Sequence, residues 1–190
     1  MKYELVKTDK KQLAGITLYR IKALVAIGLS VSPGDLGGYI EKEQNLSQFG
    51  DAWVYGNAQV YGNARVSGNA RVYGDAWVYG DAQVYGDAWV YGNARVYGDA
   101  RVYGDAQVSG DARVSDKTNW ILIGPAKSSG RFTTAFIDEN MGVRVACGCF
   151  TGTVKEFSEA IENTHKNNQE SLEQYRLFCQ LIAFNFGVKQ

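Results

Sequence analysis

The chain has 190 residues, 45% of them hydrophobic, and its 20 basic and 20 acidic side chains give a formal net charge of zero. It is long enough to bury a core, and its charge balance excludes a strongly basic module for nucleic acid or for an anionic membrane surface. No signal peptide is visible, and residues 21–31 are too short to span a bilayer. We therefore expect a cytoplasmic protein that binds neither nucleic acid nor membrane.

The three cysteines do not have the pattern of a disulfide framework or of a zinc site. Cys147, Cys149 and Cys179 are odd in number, and no pair has the CxxC spacing. Cys147 and Cys149 flank one glycine, which places both thiols on the same side of a strand and favours a role in packing.

Residues 1–49 are predicted to form an N-terminal cap. Residues 2–7 and 16–27 have the pattern of two strands, with a polar turn over residues 9–15 between them. Since the end coil of a β-solenoid offers unpaired backbone groups, we expect this hairpin to cover it.

Residues 50–115 repeat a six-residue unit eleven times without a gap, as Gly-Asp/Asn-Ala-x-Val-Tyr/Ser. Such a period indicates a solenoid, because one short unit cannot bury its apolar side alone. Ala and Val are two residues apart, so both face the core of an extended strand while the residue between them points outward. Gly followed by Asp or Asn marks a tight corner.

Read from its valine, the unit resembles the hexapeptide motif of left-handed parallel β-helices, in which three hexads make one triangular coil. The junction at residues 33–40 and 45–52, with its Gly-Gly-Tyr and Asn-Leu-Ser steps, looks like that of YdcK-like hexapeptide proteins and of repeat proteins of phages and prophages. The resemblance implies a mainly β fold, a left-handed parallel β-helix, and assembly into a homotrimer. If a phage encodes the chain, the host cytoplasm is the expected location.

The outward positions recur every eighteen residues and are predicted to form columns on the coils. Two interpretations apply to the aromatic columns: the rings stack and shield the backbone, or a face packs against an identical subunit. We expect a mixture of the two, with at least one face packed against an identical subunit. The candidate interface residues are Trp53, Tyr55, Tyr73, Trp77, Trp89 and Tyr91.

Residues 116–190 are predicted to form a small α+β domain with two helices. Three strands are predicted, over residues 120–123, 132–137 and 143–146. One helix opens at Thr153 with Glu156 as its capping-box partner, and the second opens near Ser171 with Gln174 in the same relation. The strings at 123–134 and 147–152 resemble a domain that recurs at the ends of phage and prophage proteins.

The sequence offers no candidate catalytic residue, metal ligand or cofactor motif. Hexapeptide acyltransferases, which the solenoid resembles, need a general-base histidine reached by loops that interrupt the repeat, and no loop interrupts residues 50–115. γ-Type carbonic anhydrases bind zinc through three histidines, whereas His165 stands alone here. His165 is placed at the end of the first C-terminal helix, where a structural role suffices.

Hydroxyl-rich strings in the C-terminal domain are the candidate ligand site. A glycine-containing loop with one arginine, beside a helix N-terminus, can hold a phosphate or a carboxylate. The alternative is an ordinary solvated loop and a helix cap. The candidate residues are Ser128, Ser129, Gly130, Arg131, Thr133, Thr134, Thr151 and Thr153.

Three functions follow from these observations. The first is a non-enzymatic, phage-type binding protein, assembled through its solenoid, that captures a host target; sequestering a small nucleotide signal of host immunity would be one such anti-defence activity. The second is a structural or scaffolding protein whose end domains contact protein partners. The third is an acyltransferase-like enzyme.

Overall fold

The computed structural model describes residues 1–116 and 118–188, which are mainly β. The chain begins with three strands, β1 (Tyr3–Leu13), β2 (Ile16–Ala23) and β3 (Leu36–Ile40), followed by a short 3-10 turn at Glu43–Asn45. A parallel β-solenoid follows, and the C-terminal region is a four-stranded antiparallel sheet with two helices.

The solenoid consists of two-residue strands, each made of the variable residue and the valine of one hexad. They are β4 (Trp53–Val54), β5 (Gln59–Val60), β6 (Arg65–Val66), β7 (Arg71–Val72), β8 (Trp77–Val78), β9 (Gln83–Val84), β10 (Trp89–Val90), β11 (Arg95–Val96), β12 (Arg101–Val102), β13 (Gln107–Val108) and β14 (Arg113–Val114). Strands three apart pair in parallel, which gives a first face (β4, β7, β10, β13), a second face (β5, β8, β11, β14) and a third face (β6, β9, β12). The predicted period of three hexads per coil is confirmed.

The alanine and valine of every hexad are buried and form one continuous core. The glycine at each corner has a positive φ, as Gly68 does at +69°, and a Cβ there would lie 2.9 Å from the backbone nitrogen of Gly86 in the next coil. Glycine is therefore required by both conformation and space. The left-handed sense of the coil stays a prediction.

The N-terminal hairpin is present, but its boundaries differ from the prediction. β1 continues to Leu13 through a register shift between Val6 and Lys10, so the turn shrinks to Ala14 and Gly15. β2 pairs with β3, and β3 pairs in parallel with β5. The hairpin thus extends the second face and also covers the first coil, where the Tyr3 ring packs edge-on against Trp53.

No coil precedes the first coil, so its carbonyl groups cannot accept hydrogen bonds from a neighbouring coil. Three side chains donate to the corner carbonyls instead: Lys2 Nζ to Gly50 O (3.2 Å), Arg20 Nη1 to Gly56 O (3.3 Å) and Asn45 Nδ2 to Gly62 O (3.1 Å). The N-terminal region therefore caps the first coil, as predicted, and it does so with hydrogen-bond donors.

The last coil has the opposite need, since its backbone N–H groups point out of the solenoid. Three backbone N–H groups donate to side chains of the C-terminal region: Gln107 to Thr134 Oγ1 (2.9 Å), Asp111 to Asp138 Oδ2 (3.1 Å) and Ser115 to Asn119 Oδ1 (2.9 Å). The C-terminal sheet is thus the second cap of the solenoid.

The C-terminal sheet has the order β15 (Trp120–Ile123), β16 (Thr133–Asp138), β17 (Gly142–Cys147) and β18 (Phe150–Thr153). Three strands were expected; β18 was missed because it runs directly into the helix that Thr153 caps. The helices are α1 (Val154–His165) and α2 (Gln169–Phe186), and α2 is capped by Asn168 rather than by Ser171.

The two faces of this sheet serve two cores. Trp120, Phe136 and Ala146 join the core of the solenoid, while Ala135 and Val145 pack against the helices. Neither described helix combines the length and the apolar character needed to cross a bilayer.

Replacing Trp53 with alanine is expected to lower the free energy of unfolding by about 3–5 kcal/mol, because a fully buried indole is lost from beneath Tyr3. Urea unfolding monitored by circular dichroism measures the effect. Trp89→Ala, at the equivalent position two coils on, is the matched control and should cost clearly less, since Trp89 is partly exposed. Equal losses from the two variants would contradict the capping role of the N-terminal hairpin.

Candidate binding sites

The tyrosines that end the hexads stack from coil to coil along the solenoid. Their ring centroids are 4.9–5.5 Å apart and their planes are nearly parallel, in the pairs Tyr61–Tyr79, Tyr79–Tyr97, Tyr73–Tyr91 and Tyr85–Tyr103. The stacking interpretation is confirmed for these columns. Because each inner ring has a neighbour on its face, a nucleobase cannot insert without separating two coils.

Two tryptophans extend the aromatic surface beside these stacks. Trp77 packs edge-on against Tyr61 and has the Arg95 guanidinium 4.8 Å from its ring centroid. Trp89 packs edge-on against Tyr73 and has Arg71 at 5.4 Å. The first and second faces therefore each present one indole with one cation.

The predicted interface residues do not share one environment. Trp53 was expected on an exposed face, but only 1% of it is accessible because Tyr3 covers it. This expectation was wrong, since the covering residue lies fifty positions away in sequence. Trp89 is 37% exposed and remains available to a partner, whereas Tyr55 packs partly against the core.

Burial raises the pKa of the phenols in the stacks. It raises the pKa of both Tyr61 and Tyr73 to about 12; the neighbouring tyrosine of the next coil acts in the same direction, and the nearby arginine opposes it. The stacks therefore favour neutral phenols.

The predicted ligand residues of the C-terminal domain are separated by the fold, and two of them lie in a buried strand. Thr133 and Thr134 lie in β16, which is covered on both faces, and both are buried. Thr134 accepts the backbone N–H of Gln107 and so caps the solenoid. The expectation that these two residues line an open loop was wrong.

The loop at residues 128–131 forms a tight turn at one end of the helical layer. The backbone N–H of Gly130 donates to Ala126 O (2.7 Å), and Ser129 Oγ lies 3.0 Å from the hydroxyl of Tyr175 on α2. The Arg131 side chain lies over Gly148, where a Cβ would be 3.1 Å from its Nη1. Burial raises the pKa of Tyr175 and the neighbouring Cys147 acts in the same direction, so the loop lies beside a phenol and a thiol that its own sequence does not indicate.

Thr153 pairs with Arg144 and lies toward the opposite end of that layer, whereas Thr151 pairs with Ala146, next to Cys147. Thr153 and Glu156 form the predicted capping box, with Glu156 N–H donating to Thr153 Oγ1 (3.2 Å) and Thr153 N–H to Glu156 Oε2 (2.7 Å). These hydrogen bonds lower the pKa of Glu156. A carboxylate therefore already occupies the helix N-terminus that was expected to attract a free anion.

A groove of about 560 Å³ opens between β17, α1 and α2, beside Thr153. Val143, Val154 and Cys179 form its apolar lining, and burial raises the pKa of the Cys179 thiol to about 11, which keeps it neutral at physiological pH. Polar groups at its edge come from Lys155 and from Arg176. Helix periodicity in the sequence places Lys155 on α1 and Arg176 on α2, but only the packing of the two helices brings these residues together.

Arg176 forms an ion pair at the groove, whereas Lys155 does not. The Arg176 guanidinium makes two hydrogen bonds to Glu162, at 2.6 and 2.8 Å. Lys155 is exposed and makes no ion pair within the described part of the chain. The groove thus combines an apolar lining with one free cation.

His165 and the acidic residues do not form a metal site in the structure. His165 stacks on the Tyr175 ring, with centroids 5.0 Å apart and an interplanar angle of 20°. Within residues 1–116 and 118–188, no group of three or more His, Cys, Asp or Glu side chains is arranged to hold a metal ion.

The repeats match the family model of the YdcK β-solenoid repeat. The matched segments are residues 58–69, 64–80, 82–96, 88–104, 94–107 and 106–118. These matches characterise the repeats and not the regions on either side. No curated protein matches the chain.

The stability of the protein is expected to fall as the pH rises from about 10 to about 12. Tyr61 and Tyr73 lose their protons near pH 10 in the unfolded chain but only near pH 12 in the fold, so the unfolded state binds fewer protons in this window. The double variant Tyr61→Phe, Tyr73→Phe should lose less stability over the same window. Urea midpoints at about pH 9.5 and about pH 11.5 test this, because most of the window lies between these two values.

Lys2 also makes the stability depend on pH, and its contribution cancels when the natural protein is compared with the double variant. Burial lowers the pKa of Lys2 to about 8, which acts in the opposite direction between about 8 and its ordinary 10.5. Both proteins contain Lys2, so the difference between them reports the tyrosines alone. Identical pH dependences would show that the stacked phenols do not resist ionisation.

Proposed function

We propose that this chain is a non-enzymatic binding protein that assembles through its solenoid and captures a small anionic ligand in its C-terminal domain. The observation that supports this most directly is the groove between β17, α1 and α2, with its apolar lining and the free ammonium of Lys155. Its volume of about 560 Å³ suits a small molecule.

A nucleotide has the chemistry that this groove would recognise. A base can lie against the apolar lining at Val143 and Val154, and Lys155 can contact a phosphate at the edge. Sequestering a nucleotide signal of host defence, the phage-type activity expected from the sequence, would use this groove. The proposal assigns no chemical step to the chain.

For assembly, we propose a closed ring of three copies through the first and second faces. A ring places two different surfaces in contact at each interface. The first face offers Trp89 with Arg71 and the carboxylates of Asp87 and Asp105 beside it, and the second offers Trp77 with Arg95. Each face thus has an indole, and the two carboxylates of the first face can pair with Arg95 of the second.

A scaffolding function is the second candidate, and the outer side of α2 favours it. Leu177, Leu181 and Phe184 follow each other at helical spacing and are 62%, 48% and 87% exposed. Such a row of large apolar side chains fits contact with a protein partner better than contact with water.

Ligand capture predicts a rise in melting temperature with one member of a panel of nucleotides that includes mononucleotides, cyclic dinucleotides and coenzyme A. A ligand at 100 times its dissociation constant stabilises the fold by about 2.7 kcal/mol. Lys155→Glu should abolish the shift by reversing the charge at the groove. Lys166→Glu, at the far end of α1, should preserve it.

The panel separates the candidate functions. A shift with coenzyme A alone would favour acyl transfer, and the absence of any shift would overturn nucleotide capture and favour scaffolding. A shift that Lys155→Glu leaves unchanged would place the ligand outside the groove.

Assembly predicts that Trp89→Lys lowers the particle mass measured by native mass spectrometry while the β-type circular dichroism is retained. The substitution removes an exposed indole from the proposed contact and adds a positive charge that would face Arg95 of a neighbouring copy. Gln83→Lys, at the equivalent position of the third face, is the matched control and should leave the mass unchanged. Equal masses for Trp89→Lys and the natural protein would exclude the first face as the interface.

A further inference from the structure

We propose that Ser129, Arg131 and Tyr175, together with Cys147, form a second ligand site that binds a tetrahedral oxyanion such as a phosphate group. This site lies at the end of the helical layer opposite the groove and is independent of the groove proposed above. It is built by the turn at residues 126–131, the end of β17 and the first half of α2.

The hydroxyl groups of the site are already held close together. Ser129 Oγ and the Tyr175 hydroxyl are 3.0 Å apart. Tyr175 is buried, and its ring contacts the rings of His165 and Phe178. Cys147, at the end of β17, lies beside the same phenol and acts with burial to raise its pKa. Polar groups from the turn, from α2 and from β17 are therefore neighbours at this point.

Arg131 supplies a positioned charge that no carboxylate neutralises. Its side chain lies along the turn of the β17–β18 hairpin at Gly148, whose lack of a side chain makes room for the guanidinium. Within the described residues it donates no side-chain hydrogen bond and belongs to no ion pair, and its side chain is exposed. A guanidinium binds phosphate or carboxylate through two parallel hydrogen bonds.

An independent observation comes from Thr133, which pairs directly with Cys147 across β16 and β17. Directly paired residues project from the same face of a sheet, so the Thr133 hydroxyl lies on the side of the Cys147 thiol. Thr133 is fully buried and its Oγ1 has no hydrogen-bond partner. Buried hydroxyls are rarely left unpaired, and an acceptor bound beside Cys147 would satisfy this one.

These groups select an oxyanion over other ligands. One hydroxyl of the Ser129–Tyr175 pair, the Thr133 hydroxyl and the Arg131 guanidinium can donate to oxygen atoms, and none of the residues of the cluster is a carboxylate that would favour a cation. An oxyanion accepts several hydrogen bonds at once, and the donors of the cluster lie close enough together to provide them.

The test is protection of Cys147 from alkylation by iodoacetamide, followed residue by residue with peptide mass spectrometry in a titration with inorganic phosphate at constant ionic strength. Phosphate should slow alkylation of Cys147 and leave that of Cys149, an exposed thiol two residues away, unchanged. Isothermal titration calorimetry with phosphate gives the same answer without depending on thiol reactivity.

Two variants assign the binding to the cluster. Arg131→Gln should weaken phosphate binding about tenfold or more, because it removes a charge-assisted hydrogen bond. Tyr175→Phe keeps the buried ring and removes the hydroxyl, so it should weaken binding with the fold retained. Arg65→Gln, on the third face of the solenoid, is the matched control and should bind phosphate like the natural protein.

The outcomes separate this proposal from the groove and identify the source of the anion. Lys155→Glu should leave phosphate protection intact, so failure of the groove proposal does not remove this site. Protection by adenosine monophosphate at lower concentration than by phosphate would point to a phosphorylated ligand, and equal or weaker protection to free phosphate. Uniform alkylation rates with no calorimetric signal, or full binding by Arg131→Gln, would overturn the proposal.

Discussion

The rest of the structure depends on the direction of the hydrogen bonds between coils. In the repeats, backbone N–H groups of one coil donate to carbonyls of the next, as Trp53 does to Ala70, so the solenoid ends in free carbonyls on one side and free N–H groups on the other. The two caps are accordingly opposite in chemistry. Lys2, Arg20 and Asn45 donate at the first coil, whereas Thr134, Asp138 and Asn119 accept at the last. These hydrogen bonds at both ends oppose strand pairing between the solenoid ends of two copies.

The same requirement positions the two proposed ligand sites of the C-terminal domain. β16 must present Thr134 and Asp138 to the last coil, so its other face, with Thr133 and Ala135, turns toward the helices. That face fixes the positions of β17 and, through it, of Cys147 at one end and Val143 at the other. The oxyanion cluster and the groove are therefore the two ends of one helical layer whose orientation the solenoid cap determines.

Local repetition made much of the fold predictable, and contacts distant in sequence account for what was missed. The hexad specifies the strand, the corner and the pairing of residues eighteen apart, because each unit meets only its copies. Nothing in the hexad of Trp53 distinguishes it from that of Trp89, yet Tyr3 buries the first and leaves the second exposed. Thr134 likewise has the residue type of a ligand-binding hydroxyl, and only its place beneath Gln107 makes it a cap. In the candidate sites, Ser129 and Arg131 were found from their loop, but their partners Cys147 and Tyr175 come from other elements.

The division of labour proposed for this chain follows from where its surfaces are already occupied. In the solenoid, the tyrosine faces are covered by neighbouring rings at about the spacing of the coils, and the indoles carry arginines. A planar ligand would have to break these contacts, whereas a flat partner surface needs only the exposed edges. In the C-terminal domain the situation is reversed, because Lys155 and Arg131 are charged, positioned and free of ion pairs among the described residues. Rigid stacked faces therefore suit the proposed assembly, and the two proposed ligand sites lie at the two ends of the helical layer.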